Sequence, residues 1–272
     1  MIGEKSVKIG LIGCGFMGEA ILSIALKKGM TAPPDVRVAE INEDRRRLMA
    51  STYGIDATED VEHTVQGADV VIFAVKPQEF DLAAHHLQGK FRRDQTVLSI
   101  MAGVPIERIA RMLGHAGIVR AMPNTPAVVG EGMSIWTATP EVDPATRAQV
   151  AGILGAMGQE IYVDDEKYLD MATALSASGP GFIFLFIEAF VDAGVQIGFK
   201  RNVAETLALQ TFIGSAKYAE ATGKHLAQLR NEVTSPAGTT AAGLTVLESA
   251  GIRGAILDAI EAAYNRSREL GE

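Results

Sequence analysis

"GLIGCGFMGEAIL", residues 10–22, joins an apolar run to a segment of helical period through three glycines. Gly13, Gly15 and Gly18 stand as G-x-G-x-x-G, directly after the run and at the opening of the helix. Each glycine then has a task. The first permits a tight turn, the second lets backbone approach a pyrophosphate, and the third lets helix and strand pack closely. The spacing points to dinucleotide binding. Cys14, inside the loop, reads as a small packing residue rather than a nucleophile.

Outward from this loop the first part of the chain alternates β-rich runs with helical segments. The runs cover 7–13, 36–40, 69–75, 96–101 and 117–122, and helical periods fill 17–28, 43–53, 77–87 and 105–113. Strands apolar on both faces and separated by helices predict a parallel sheet covered on both sides. Runs at 133–138 and 159–163, flanking a helix over 143–157, extend it. After Asp164-Asp165 no strand runs follow, only helical segments over 166–198, 201–222, 225–233 and 240–270. The expected organisation is an α/β Rossmann-type dinucleotide-binding domain over 1–164, then an all-α helical dimerisation and substrate domain over 165–272. In the second domain Glu188, Asp192 and Gln196 form one narrow polar stripe on an otherwise apolar helix. Such a helix must be buried on most sides, and a domain of this size needs a partner subunit to do it.

Composition removes several classes. With 272 residues, 47% hydrophobic and 21% charged, the chain has ample core material. A net charge of −8 supplies no field for nucleic acid or an acidic membrane. The single cysteine excludes an intrachain disulfide. Five histidines without H-x₃-H or HExxH spacing leave no expected metal site. No G-x-S-x-G elbow marks a hydrolase. The N-terminus lacks a leader pattern, and the most apolar window, 181–191, contains Glu188 and is too short for a bilayer. The expectation is a soluble cytoplasmic protein.

Further candidates gather at the strand ends. Glu40 ends the second run, 22 residues after Gly18, where an acidic side chain accepts from the adenine ribose 2′-OH and repels a 2′-phosphate. It leans toward NADH, although Arg45, Arg46 and Arg47 lie just beyond and could swing toward a phosphate. Ala74-Val75-Lys76-Pro77 puts a proline at a helix start and a lysine at the carboxyl edge of the sheet. After the fifth run, Met122, Pro123 and Asn124 form another edge turn, with Asn124 offering an amide to a ligand. Near the other end, "VTSPAGTTAAGLTVLES" (233–249) places Thr234, Ser235, Thr239 and Thr240 before an apolar helix. These four hydroxyls fit either a well-capped helix start or an anion site.

The sequence resembles pyrroline-5-carboxylate reductases from end to end. The resemblance rests on Gly13-Cys14-Gly15-Phe16-Met17-Gly18, Val75-Lys76-Pro77, Arg120-Ala121-Met122-Pro123-Asn124-Thr125-Pro126, Ser176-Ala177-Ser178-Gly179-Pro180 and the 233–249 stretch with Leu247-Glu248. It implies NAD(P)H-dependent reduction of the C=N bond of 1-pyrroline-5-carboxylate to proline. It also implies a homodimer interlocked through the helical domain, with a decamer of dimers in a ring as the larger assembly. On this reading the substrate carboxylate meets the backbone N–H groups of Gly238 and Thr239 and the Ser235 hydroxyl, and the resemblance puts the Thr240 hydroxyl on the ring nitrogen. Family members usually carry glycine at position 237 and Ser-Gly-Ser-Gly-Pro-Ala-Tyr around 176–182, where this chain has Ala237, Ala177, Gly181 and Phe182. Glu40 stands where many have a small polar residue suited to NADPH. Two rivals are weaker. A β-hydroxyacid dehydrogenase wants a general-acid lysine where 176–180 has none, and a non-catalytic dinucleotide sensor would not need the 235–240 turn.

Overall fold

The computed structural model describes residues 6–271. It divides into two compact units, one running to Ser178 and regaining the chain from Ala263, the other spanning Gly179–Ala262. The first is an eight-stranded sheet: β1 (Ile9–Ile12), β2 (Val36–Ala39), β3 (Asp56–Thr58), β4 (Val70–Phe73), β5 (Thr96–Ser99), β6 (Ile118–Met122), β7 (Gly132–Ala138) and β8 (Gly158–Tyr162). Its helices are α1 (Phe16–Lys27), α2 (Glu43–Tyr53), α3 (Val61–Val65), α4 (Phe80–Leu87), α5 (Ile106–Leu113), α6 (Pro144–Ala156) and α7 (Lys167–Ala172). The strand order is β3-β2-β1-β4-β5-β6-β7-β8. The order reverses direction about β1, and ligands bind in such sheets outside the carboxyl ends at that switch point. Two apolar layers cover the sheet, one holding Ile21, Leu22 and Trp136, the other Phe73, Phe80 and Leu113.

The sheet corrects the expectation in two places. β7 runs antiparallel to β6, because the nine residues between them are too few for a parallel crossover, which needs a dozen or more. α6 is such a crossover, so β8 lies parallel to β7. β3 and α3, three and five residues long, went unpredicted because neither shows a full period.

Arg120 on β6 is 2% exposed, and α7 supplies its counter-charges. Its Nη1 donates to Glu166 Oε1 at 2.6 Å and its Nη2 to Asp170 Oδ1 at 3.2 Å. Ile106 N–H also donates to Glu166, at 2.8 Å. A buried guanidinium left alone would be strongly destabilising, so this pair locks α7 to the sheet.

Beyond α7 the chain makes a π-helical turn, Thr173–Ala177, before α8 (Gly179–Gln196). The expected single helix over 166–198 is therefore interrupted. Local hydroxyls satisfy the disturbed carbonyls: Thr173 donates to Leu169, Ser176 to Ala172 and Ser178 to Thr173, at 2.8–2.9 Å.

The second unit continues with α9 (Arg201–Thr222), α10 (Leu226–Glu232), α11 (Thr239–Ser249) and α12 (Ile252–Glu269). The expected helix over 240–270 is two helices, broken where Gly251 turns to φ 73°, a conformation glycine adopts without penalty. α8 and α9 approach closely because a Cβ on Gly194 would lie 2.9 Å from the Ala204 Cβ. Their own core is only Val191, Ala204 and Ala208, while Ile183, Phe184, Leu185 and Phe190 are exposed. The helical run Lys167–Gln196 has an 18-residue window of mean hydropathy 1.7, long and apolar enough by those measures to cross a membrane. That corrects the reading of 181–191 as too short.

Candidate active site

Register brings the dinucleotide candidates together. Ile12 on β1 pairs with Ala39 on β2 and Phe73 on β4, so Gly13, Glu40 and Ala74 leave the sheet side by side. Gly13 turns at φ 85°, and a Cβ there would meet Val75 at 2.7 Å. A Cβ on Gly18 would lie 2.5 Å from the Gly13 carbonyl oxygen. Around Gly15 nothing lies within 4 Å of that position. The outer glycines are needed for packing and the middle one opens onto free space, the arrangement a pyrophosphate requires.

That space is a cavity of about 550 Å³ lined by Gly13, Gly15, Glu40, Ala74, Val75 and Lys76, all named from the sequence. Ile41, Glu59, Glu79, Leu82 and His86 line it too and were missed. Ile41 and Leu82 are 78% and 71% exposed, and in sequence they are indistinguishable from stray surface residues. Other expected residues act as supports. Cys14 and Gly18 are buried, Met17 packs on the core, and Met122 and Pro123 are buried at the end of β6. Phe16 is exposed. Pro77 opens a short 3₁₀ turn into α4. Asn124, read as offering its amide to a ligand, uses that amide within the chain. It accepts from Met133 N–H at 2.8 Å and donates to the Ser176 carbonyl at 3.0 Å.

The three arginines beyond Glu40 are also engaged. Arg45 bonds the Cys14 carbonyl and Glu19. Arg46 bonds the carbonyls of Glu40 and Ile41 at 2.8 Å and pairs with Glu59 at 2.7 Å. Arg47 is exposed beside Glu43 and Asp44 of its own helix. The acidic residues lining the cavity are engaged within the chain as well: Glu40 accepts from the N–H groups of Cys14 and Asn42, Glu59 pairs with Arg46, and Glu79 accepts from Lys76 N–H.

In the second unit, the Ser235–Gly238 turn leads into α11. The Thr234 hydroxyl donates to the Arg230 carbonyl at 2.6 Å and closes α10. Gly238 N–H donates to the Ser235 carbonyl at 3.0 Å. The expectation that Gly238 offers this N–H to a ligand is therefore corrected: it closes the turn. The helix cap, Gly238, provides no side-chain acceptor. The N–H groups of Thr239, Thr240 and Ala241 open the helix without a backbone partner among the described residues. The hydroxyls of Ser235 and Thr240 likewise engage no other group among those residues, in contrast to Thr234 and Thr245. Ala237 holds φ 56°, in the left-handed region that glycine adopts more readily. Among the described residues no cluster of His, Cys, Asp and Glu could hold a metal ion.

Residues 166–270 match the family described as pyrroline-5-carboxylate reductase dimerisation, and residues 8–103 match NADP oxidoreductase coenzyme F420-dependent. The pyrroline-5-carboxylate reductase of Synechocystis is 42% identical over 98% of this chain and 99% of its own length. The chain belongs to the pyrroline-5-carboxylate reductase family. The solved reductase from Coxiella burnetii has a TM-score of 0.89 at 35% identity, over 98% of this chain and all of that one. A Plasmodium falciparum reductase, solved with NADP bound, has a TM-score of 0.90 at 28% identity, over 99% of this chain and all of that one. As a pyrroline-5-carboxylate reductase, this chain is an NAD(P)H-dependent oxidoreductase acting on a C=N bond in proline biosynthesis. Its dimerisation domain makes it a homodimer, and the exposed apolar face of α8 lies within that domain.

Proposed function

We propose that the start of α11 receives the carboxylate of 1-pyrroline-5-carboxylate and that the Thr240 hydroxyl bonds the ring nitrogen. The observation that carries this reading is the uncapped helix start, with the N–H groups of Thr239, Thr240 and Ala241 unengaged. Those dipoles favour an anion, and the Ser235 hydroxyl adds a donor. Gly238 contributes by closing the turn. The dinucleotide supplies the hydride when bound. Gly13, Cys14, Gly15, Phe16, Met17 and Gly18 form its cradle, Glu40 meets the adenosine ribose, and Ala74–Pro77 and Met122–Asn124 shape the sheet edge. A protonated imine is already electrophilic, so Thr240 needs only to orient it.

The carboxylates around the adenosine end support effective use of NADH. The division near residue 164 is the proposed family boundary, close to the start of the dimerisation match at 166; the compact units divide later, after Ser178, and the first regains the chain from Ala263. We assign the enzyme to the cytoplasm, and its larger assembly to a decameric ring of dimers, as the family resemblance implies.

Thr240→Val tests the substrate site. A hydrogen bond to a charged partner contributes up to about 3 kcal/mol, so kcat/KM should fall roughly tenfold to hundredfold with dinucleotide affinity unchanged. Thr234→Val loses only its bond to Arg230 and should cost much less. Full activity in Thr240→Val together with inactivity in Thr234→Val would mean the wrong hydroxyl had been assigned.

A further inference from the structure

The peptide groups on both sides of Cys14 are gripped by side chains that follow β2. Its N–H donates to Glu40 Oε2 at 2.8 Å. Its carbonyl accepts from Arg45 Nε at 3.0 Å and from Arg45 Nη2. The same Nη2 reaches Glu19 Oε2 at 2.6 Å, and the Tyr53 hydroxyl donates to Glu19 Oε1 at 3.1 Å. Arg45 thus joins the glycine loop to α1 and α2 through one guanidinium.

A loop carbonyl near water does not need a cation merely to be satisfied. The guanidinium is not there for the thiol either. Cys14 Sγ is buried against Met49 Sδ at 3.1 Å, and burial pushes the thiol up to about 12, so it stays neutral. What a two-toothed fork does to a carbonyl is fix its direction. The Cys14 carbonyl shares a planar trans peptide with the Gly15 N–H. Drawing the oxygen toward Arg45 turns that N–H the opposite way, where no group among the described residues accepts it. Glu40 meanwhile occupies the Cys14 N–H, so of these two amides only Gly15's remains for an incoming anion.

We propose that Arg45 is a positioning residue for dinucleotide binding: by holding the Cys14 carbonyl it presents the Gly15 N–H to the pyrophosphate, and it does not contact the 2′ position. This rests on the glycine loop being the pyrophosphate cradle. It separates Arg45 from the usual expectation for an arginine beyond β2, since its loss affects both dinucleotides alike.

Fluorescence titration with NADH and with NADPH tests it on Arg45→Lys, which keeps the charge and loses the fork. Both Kd values should rise by a common factor of roughly ten. At saturating dinucleotide, kcat and the KM for pyrroline-5-carboxylate should stay within about twofold of wild type. Arg47→Ala, removing an exposed side chain paired on its own helix, should leave both Kd values unchanged. Weakening confined to NADPH would make Arg45 a 2′-phosphate ligand and overturn the proposal, as would unchanged Kd values. Should Arg45→Lys melt early, Glu19→Gln, which loosens the guanidinium in place, must show the same common shift at smaller size, and its absence overturns the proposal. Gly15→Val separates the two ideas. Normal binding there sinks the cradle reading itself, whereas weakened binding there beside an unaffected Arg45→Lys sinks only the role of Arg45.

Discussion

Two helix starts in this molecule leave backbone N–H groups unengaged among the described residues, and they are built differently. At α1 the loop is braced by Glu40, Arg45 and the buried Cys14, with glycine where the backbone turns or packs tightly. At α11 the turn is largely exposed, no side chain caps it, and Ala237 occupies a left-handed conformation that Gly13 adopts freely in the other. Both offer N–H groups and a helix dipole. The difference lies in what restrains them. The first sits in a unit with two apolar layers of its own, and the second in a unit whose core is three residues and which lies within the dimerisation match. Local backbone chemistry leaves N–H groups open in either place, but the restraint on them comes from the surrounding packing.

The largest test of that contrast is at the braced loop. Gly15→Val points into open space, so the fold should keep its melting temperature while dinucleotide Kd rises roughly a hundredfold, equivalent to about 2.7 kcal/mol. Gly18→Val instead drives a side chain into the Gly13 carbonyl, and overpacking there should cost about 1–3 kcal/mol and lower the melting temperature. Calorimetry and titration on the pair separate ligand space from packing space. Equal thermal damage in both variants would break the distinction.

Glu40→Ser comes next, because Glu40 accepts from the Cys14 N–H and, in the proposed function, also meets the ribose. Relative use of NADPH over NADH, read from initial rates, should rise roughly tenfold as a carboxylate leaves the 2′ position. Affinity for both should fall modestly as the Cys14 N–H loses its acceptor. A ratio that stays put would remove Glu40 from coenzyme selection and leave it only the loop.

The smallest effect belongs to the exposed turn. A non-glycine residue in the left-handed region costs about 1–2 kcal/mol, partly offset by the greater unfolded-state freedom of glycine. Ala237→Gly should therefore raise the melting temperature by about 1–3 °C, leaving dinucleotide affinity untouched. A fall in melting temperature would show that the Ala237 methyl group contributes packing that outweighs its strain.

Much of this molecule was legible in its sequence where one local pattern sufficed. The expected ranges 43–53 and 201–222 coincide with α2 and α9, because a cap or turn residue at each end agrees with the helical period. The three glycines of the loop could be assigned tasks from spacing alone, and those tasks match the distances around them. Other features depend on groups far apart in the chain. Nothing local says that Arg45 grips Cys14 while its neighbours point elsewhere, nor that Asn124 spends its amide on Met133 and Ser176. Nor does spacing reveal that Gly238 closes its own turn and leaves Thr239, Thr240 and Ala241 with unengaged N–H groups.

By itself the sequence determined the α/β class, the switch from strands to helices and the backbone tasks of the three loop glycines, since these follow from periodicity and from what each residue type can do with its own backbone. Only the tertiary structure decided the reversal of β7, the register that sets Gly13, Glu40 and Ala74 side by side, and the partners of the three arginines. A hydrogen bond is directional and short, so which donor meets which acceptor is settled only when the packed chain brings distant segments within about 3 Å of one another.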